Sequence, residues 1–147
     1  MTLIQDAPAT PGTTTQTMTM AAALTRALAD AMEADPAVVV FGEDVGALGG
    51  VFRVTDGLRA RFGEERCFDT PLAESGIVGT AVGMAMNGLI PVVEMQFDAF
   101  AYPAFEQVVS HVAKMGNRTK GALRLPLVVV LVVVMVAVMS SAITERS

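Results

Sequence analysis

Short runs of apolar, β-branched residues alternate with longer amphipathic segments along this chain, and this alternation limits the folds it can adopt. Ala37–Phe41 (AVVVF) has the pattern of a strand that is buried on both faces of a parallel sheet. Similar runs predict strands at 66–69, at 90–97 and in the first half of 125–139. Helical patterns lie between them at 19–34, at 54–62, from Thr70-Pro71 to Asn87-Gly88, and onward from Pro103. We therefore predict an α/β domain with a mainly parallel sheet and right-handed crossovers that place helices on both of its faces.

The stretch Asp69–Gly88 (DTPLAESGIVGTAVGMAMNG) joins the second predicted strand to the third. We expect Thr70 to cap the helix in this stretch, Pro71 to occupy its first position and Glu74 to lie in its opening turns. A carboxylate near a helix N-terminus is stabilised by the helix dipole, so on local grounds a structural role for Glu74 is favoured over a functional one. One face of the helix carries only glycines, at Gly76, Gly79 and Gly83. This bare face predicts that another helix or backbone packs closely against it.

The glycine-rich loop 42–52 begins with two adjacent acids, Glu43 and Asp44. They follow a predicted strand, at the edge where parallel sheets bind their ligands. Two carboxylates are suited to a metal ion, but a solvated or interface-bound turn is the favoured interpretation.

The helix after Pro103 has a clear apolar stripe. We expect its buried residues to be Phe105, Val108, Val109 and Val112. His111 falls on the polar side, so a surface position is favoured over a catalytic one.

The composition excludes several classes of function. A net charge of −5 argues against nucleic acid or an anionic membrane surface as the main partner. One cysteine, Cys67, and one histidine form neither an internal disulfide nor a Cys/His zinc site, and the cytoplasm is the expected location. Residues 1–17 lack the pattern of a signal or transit peptide and are expected to form a flexible arm. The short motifs for phosphate cradles, zinc proteases and serine nucleophiles are absent from the sequence.

Three segments of the chain resemble, in the same order, one known family. GEDVGALGGVFRVTDGL (42–58), RCFDTPLAESGIVGTAVGMAMNGLIPVVEMQF (66–97) and AYPAFEQVVSHVAKM (101–115) are similar to the β subunit of the E1 component of 2-oxo acid dehydrogenases. These enzymes depend on thiamine diphosphate and act on pyruvate or branched-chain 2-oxo acids, and the wording MQF…YPAFEQVV across the second and third segments is closer to the branched-chain type. The resemblance implies a three-layer α/β/α fold, the transketolase-like pyrimidine-binding domain, over residues 18–130.

The resemblance also implies roles for particular residues. In the family, the glutamate at the position of Glu74 hydrogen-bonds N1′ of the cofactor's aminopyrimidine and so favours the tautomer that removes the thiazolium C2 proton. By position, Phe100 stacks on the pyrimidine ring, and Leu72 and Gln96 line it. The family's E1 α subunit holds the diphosphate and its Mg²⁺ in an α₂β₂ assembly, and the acyl group passes to the lipoyl group of E2. The resemblance implies no metal ligand in this chain.

The sequence departs from the family after Val129. The family has an arginine at the position of Val130, then a glycine-rich stretch and a C-terminal domain. Here residues 131–147 form an apolar tail outside the family pattern, and its first part is rich in valine. We interpret the chain as a truncated β subunit that is incomplete at its C-terminus and inactive alone. Two alternatives stay open: a non-catalytic remnant that at most binds E1 α, and a protein anchored to a membrane by its tail. The apolar run 125–139 is shorter than the ~17–25 residues that usually span a bilayer, which argues against the anchor.

Overall fold

The computed structural model describes residues 17–131 of the chain. The helices in this part are α1 (Met20–Ala34), α2 (Leu58–Phe62), α3 (Glu74–Met86), α4 (Ala101–Gln107) and α5 (Met115–Arg118). Its strands are β1 (Val38–Gly42), β2 (Cys67–Asp69), β3 (Ile90–Met95) and β4 (Val128–Leu131). A 3₁₀ turn, Asp98–Phe100, precedes α4, and a π-helical turn, Val108–Val112, follows it. The predicted arm and tail lie outside the described residues, apart from one residue of each.

The strands form one parallel sheet in the order β2-β1-β3-β4. The chain starts inside the sheet with β1, moves to β2 at one edge, and then crosses to β3 and β4 on the other side. The connections after β1 and β3 therefore lead in opposite directions, which creates a topological switch point between the C-terminal ends of these two strands. The predicted α/β fold with a parallel sheet is confirmed, including a strand in the first half of 125–139.

Two hydrophobic clusters, one on each face of the sheet, give the domain three layers. The first cluster joins α1 and α2 to one face, through side chains such as Met32 and Leu58. The second joins α3 and α4 to the other face, through Val78 and Ala104 among others. Alternate residues along each strand enter opposite clusters, as the pleat of a strand requires, so β1 is buried on both sides as predicted.

The limits of α1 follow from its sequence. The hydroxyl of Thr19 accepts a hydrogen bond from the Ala22 N–H at 3.2 Å and caps the first turn. At the other end, one guanidinium nitrogen of Arg66 donates to the carbonyl oxygens of Met32 at 2.7 Å and Asp35 at 2.9 Å. The carbonyls at a helix C-terminus have no partner within the helix, so Arg66 satisfies them and ties the end of α1 to the start of β2.

Two helix predictions are corrected by the structure. Residues 54–57 form turns instead of the start of α2, because the Thr55 hydroxyl donates to the Val45 carbonyl at 2.8 Å and fixes the segment against the preceding loop. Phe105 is 61% exposed, whereas its neighbour Ala104 is fully buried, so the predicted buried stripe is wrong at Phe105. Ala104 takes the core-facing position of α4 and joins the second cluster in place of Phe105. Val108, Val109 and Val112, which were also expected to be buried, lie in or beside the π turn and are only partly buried.

His111 lies in that π turn and is partly buried, not fully on the wet side. Within residues 17–131, no helix is both long enough and apolar enough to cross a membrane.

Candidate functional site

The predicted cofactor residues follow β2 and β3, and the acids Glu43 and Asp44 follow β1, which lies between these two strands. Asp69 in β2 and Glu94 in β3 are both in register with Gly42 at the end of β1. The segments that continue from these strands therefore emerge at one edge of the sheet. The β1 and β3 connections leave from the switch point itself, which is where open α/β sheets bind their ligands.

Glu74 is the first residue of α3, and its side chain is only 8% exposed. The predicted helix start at Thr70-Pro71, with Thr70 as the cap, is wrong. The Thr70 N–H donates to the Gly42 carbonyl at 2.9 Å and so prolongs the pairing of β2 with β1, which leaves residues 71–73 to make the turn. The helix then starts after Ala73, which has no side-chain cap, and Glu74 stands where the helix dipole favours a negative group.

Glu43 is a second buried carboxyl group at this edge, and its burial was not predicted from the sequence. Its side chain is 5% exposed, and both carboxylate oxygens are buried with no hydrogen-bond partner among the described residues. Burial raises the pKa of Glu43, and the negative charges of Glu74 and then Asp44 raise it further. The favoured interpretation of a solvated turn therefore holds for exposed Asp44 and fails for Glu43. The sequence does contain one signal for this burial. Glu43 directly follows β1, whose five residues are all buried.

Gln96 follows β3 and faces the loop after β1. Its side-chain nitrogen donates to Oδ2 of Asp44 at 3.0 Å and approaches the Glu43 carbonyl oxygen at 3.4 Å. This orientation leaves the side-chain oxygen of Gln96 available as an acceptor for a ligand. The structure thus places Gln96 beside Glu43, whose charge interacts with that of Glu74.

Phe100 ends the 3₁₀ turn and is half-buried. Its ring packs edge-to-face on Phe97, with centroids 5.5 Å apart, and Phe97 packs in the same way on Phe52 at 5.7 Å. Leu72 lies in the turn before α3 and is 74% exposed, so its apolar side chain is free to be covered by a ligand or a partner.

An apolar cavity of about 250 Å³ lies beside the start of α3. It is lined by side chains of β1, β2 and the first turns of α3, including Phe41, Phe68 and Ile77. Glu74, Leu72, Gln96 and Phe100 are absent from its lining.

The fold and this edge of the sheet define a known class of domain. A family model described as the pyrimidine-binding domain of transketolase matches residues 16–130, and the chain belongs to this family. Over 137 residues the chain is 58% identical to the 3-methyl-2-oxobutanoate dehydrogenase subunit beta of Mycobacterium tuberculosis. This alignment covers 88% of this chain and 39% of that protein. It is 54% identical over 121 residues to the pyruvate dehydrogenase E1 component subunit beta of Leifsonia xyli, covering 82% of this chain and 36% of that protein.

A third relative has a name of the branched-chain type. The 2-oxoisovalerate dehydrogenase subunit beta of Pseudomonas aeruginosa is 49% identical over 116 residues, covering 79% of this chain and 33% of that protein. These similarities confirm the resemblance to E1 β subunits. The chain spans about two fifths or less of the length of these curated relatives.

The residues present fit an aminopyrimidine ring. Such a ring needs a carboxyl group for a ring nitrogen, an aromatic surface for its face and a polar acceptor at its edge. Glu74 follows β2, and Gln96 and Phe100 follow β3, so the three groups belong to connections that leave the same edge of the sheet. Among residues 17–131, no cluster of three or more histidine, cysteine, aspartate or glutamate residues has the arrangement to bind a metal ion.

Proposed function

We propose that this chain supplies the pyrimidine-binding half of a thiamine-diphosphate site in the E1 component of a 2-oxo acid dehydrogenase. The observation that carries the proposal is the buried Glu74 carboxyl group at the first turn of α3, beside the switch point of a parallel sheet. Glu74 binds N1′ of the aminopyrimidine, Phe100 stacks on the ring, and Leu72 and Gln96 line it. When bound, thiamine diphosphate supplies the carbanion and the electron sink for decarboxylation of the 2-oxo acid.

The chain's own residues prepare the site for this chemistry. Glu74 holds a proton between its carboxyl group and the ring nitrogen, and the half-buried Phe100 excludes water from one face of the ring. The Glu43 carboxylate oxygens are buried without a partner among the described residues, and the charge of Glu74 is one of the causes that raise the pKa of Glu43.

We further propose that the substrate is a branched-chain 2-oxo acid. Relatives at 58% and 49% identity have names of the branched-chain type. Relatives named as pyruvate dehydrogenase subunits reach 54% identity, so pyruvate is the second candidate. The acyl group then passes to the lipoyl group of an E2 partner.

Catalysis needs an E1 α subunit, which holds the diphosphate and its Mg²⁺, and this chain alone is inactive. The glycine face of α3 supports this part of the proposal. A Cβ atom added at Gly83 would meet no atom within 4 Å, and one at Gly76 would meet only the Cβ of Ala73 at 3.6 Å. A Cβ atom at Gly79 would meet the Gln107 side chain of α4 at 3.7 Å, so the described residues leave this face open only at Gly76 and Gly83, and we assign these two positions to the partner subunit.

Cofactor activation is the direct test of the proposal. The chain is assembled with an E1 α subunit of the branched-chain type, and hydrogen–deuterium exchange at C2 of bound thiamine diphosphate is followed by NMR. We expect Glu74→Gln to slow this exchange by two orders of magnitude or more, about the contribution of a positioned proton-transfer group. Glu65→Gln is the matched control, because Glu65 is exposed and precedes β2 at the opposite edge of the sheet. Equal exchange in the wild type and in Glu74→Gln would remove the assignment.

The same assembly also separates the substrate candidates and the alternatives. We expect cofactor binding to the assembled complex, with 3-methyl-2-oxobutanoate preferred over pyruvate in any turnover measured. A complex that assembles but binds no thiamine diphosphate would favour a non-catalytic chain that binds E1 α.

A further inference from the structure

The loop after β1 contacts the β3–α4 connection at two separate points. At the first, Oδ2 of Asp44 accepts a hydrogen bond from the Gln96 side chain at 3.0 Å. At the second, the ring of Phe52 meets that of Phe97 at an interplanar angle of 81°. Both contacts cross the topological switch point, because the loop follows β1 and the other partners follow β3.

The loop is itself held in place by bonds that do not involve the β3–α4 connection. The carboxylate of Asp69 accepts from the Gly46 N–H at 2.7 Å and from the Ala47 N–H at 3.2 Å. The Thr55 hydroxyl donates to the Val45 carbonyl at 2.8 Å. Since these bonds anchor the loop to β2 and to its own far end, the loop is a rigid support for whatever contacts it.

The β3–α4 connection, in contrast, has little support from the hydrophobic core. Phe97 is 37% exposed, and neither Phe97 nor Phe100 belongs to the two core clusters. Phe100 contacts Phe97 edge-to-face at an interplanar angle of 79°, and Phe97 contacts Phe52 in the same manner. Such contacts have a defined geometry, so the ring of Phe52 sets the orientation of Phe97, and Phe97 that of Phe100.

We propose that Asp44 and Phe52 are positioning residues of the cofactor site. Asp44 fixes the amide of Gln96 so that its oxygen faces the ligand, and Phe52 fixes the plane of the Phe100 ring through Phe97. This inference rests on the proposed function, because it assigns Gln96 and Phe100 to the aminopyrimidine.

Two substitutions remove these contacts without other strain. Asp44 has a φ of +57°, which glycine adopts freely and asparagine tolerates. Asp44→Gly therefore removes the side-chain oxygen that accepts from Gln96 and keeps the turn. Asp44→Asn keeps an accepting oxygen as well as the turn. Phe52→Leu removes the ring and keeps an apolar side chain, while Phe52→Tyr keeps the ring.

The test is the affinity of thiamine diphosphate for the complex of the chain with an E1 α subunit, measured by titration calorimetry. We expect a loss of affinity of about threefold to tenfold for Phe52→Leu, the range of an edge-to-face pair, and about tenfold for Asp44→Gly. Phe52→Tyr and Asp44→Asn are expected to stay within about twofold of the wild type. Phe62→Leu is the matched control, because Phe62 is a partly exposed ring in α2 that packs under Arg61 and Arg66.

The outcomes separate this inference from the proposed function. Wild-type affinity in both Phe52→Leu and Asp44→Gly would overturn the positioning roles and leave the proposed function intact. Equal losses in Phe52→Leu and Phe62→Leu, or in the conservative variants, would show a general effect on folding and also overturn them. A wild-type complex that binds no thiamine diphosphate would overturn the proposed function and this inference with it.

Discussion

Glu94 provides a sharp test of the packing of the sheet. It lies in β3 and is 3% exposed, and neither carboxylate oxygen has a hydrogen-bond partner among the described residues. A Cβ atom added at Gly50 would lie only 3.0 Å from one of these oxygens, so the loop after β1 closes directly over the carboxyl group. Its neighbour on β4, in register, is the aliphatic Val130, which offers no charge to pair with it.

Burial raises the pKa of Glu94 from its ordinary value of 4.5 to about 7. Between these two pH values the folded chain keeps a proton that the unfolded chain has released. The free energy of unfolding therefore falls as the pH rises through this interval, and the contribution of the neutral group is complete below pH 4.5 and lost above about pH 7. At about 1.4 kcal/mol for each pKa unit, the loss is about 3 kcal/mol.

The measurement is urea unfolding of the whole chain, followed by circular dichroism from about pH 3.5 to about pH 8.5, a range that brackets both pKa values. We expect Glu94→Gln to be free of this loss, so that its stability relative to the wild type increases by about 3 kcal/mol across the interval. The amide and the neutral carboxyl group differ in hydrogen bonding, so the change with pH is the quantity compared, not the absolute stability. Glu65→Gln, at an exposed position, is the control and should follow the wild type. A difference between wild type and Glu94→Gln that is constant with pH would refute the reasoning.

Three further predictions concern the sheet, α1 and the partner face. Val130→Arg places a cation beside Glu94, so the pH-dependent loss of stability should disappear in the same urea series, and its persistence would contradict the observed register. Arg66→Met leaves carbonyl oxygens near the end of α1 unpaired and should lower the free energy of unfolding by about 2 kcal/mol, whereas an unchanged urea midpoint would argue against that role. Gly83→Leu should leave the stability of the isolated chain nearly unchanged but prevent assembly with E1 α in analytical ultracentrifugation, and normal assembly would exclude this face as the interface.

The strands could be predicted from the sequence because their signals are local. The run 37–41 is apolar at every position, and a strand buried on both faces in a parallel sheet has this pattern. The start of α3 was not predictable in the same way. Thr70-Pro71 is a good local start signal, but the Thr70 N–H is taken by the neighbouring strand, and that pairing exists only in the folded sheet.

The burial of Glu43 and Glu94 also depends on contacts between distant parts of the chain, which the local sequence does not reveal. Glu43 and Glu94 are charged residues at strand ends, where sequence patterns predict solvent exposure. The loop after β1 closes over Glu94 at Gly50, and its position depends on distant contacts such as that between Gly46 and Asp69. Glu74 and Phe100, by comparison, are assigned to the site through the resemblance to a family, since local physics alone favours a structural role for Glu74.

The central claim is that Glu74 binds the pyrimidine ring of thiamine diphosphate at the switch point of the sheet. A crystal structure of the chain assembled with an E1 α subunit and thiamine diphosphate tests it most directly. We predict a Glu74 carboxylate oxygen at about 2.6–3.2 Å from N1′, with the ring stacked on Phe100. A pyrimidine ring bound without contact to Glu74, or on another face of the domain, would contradict the claim.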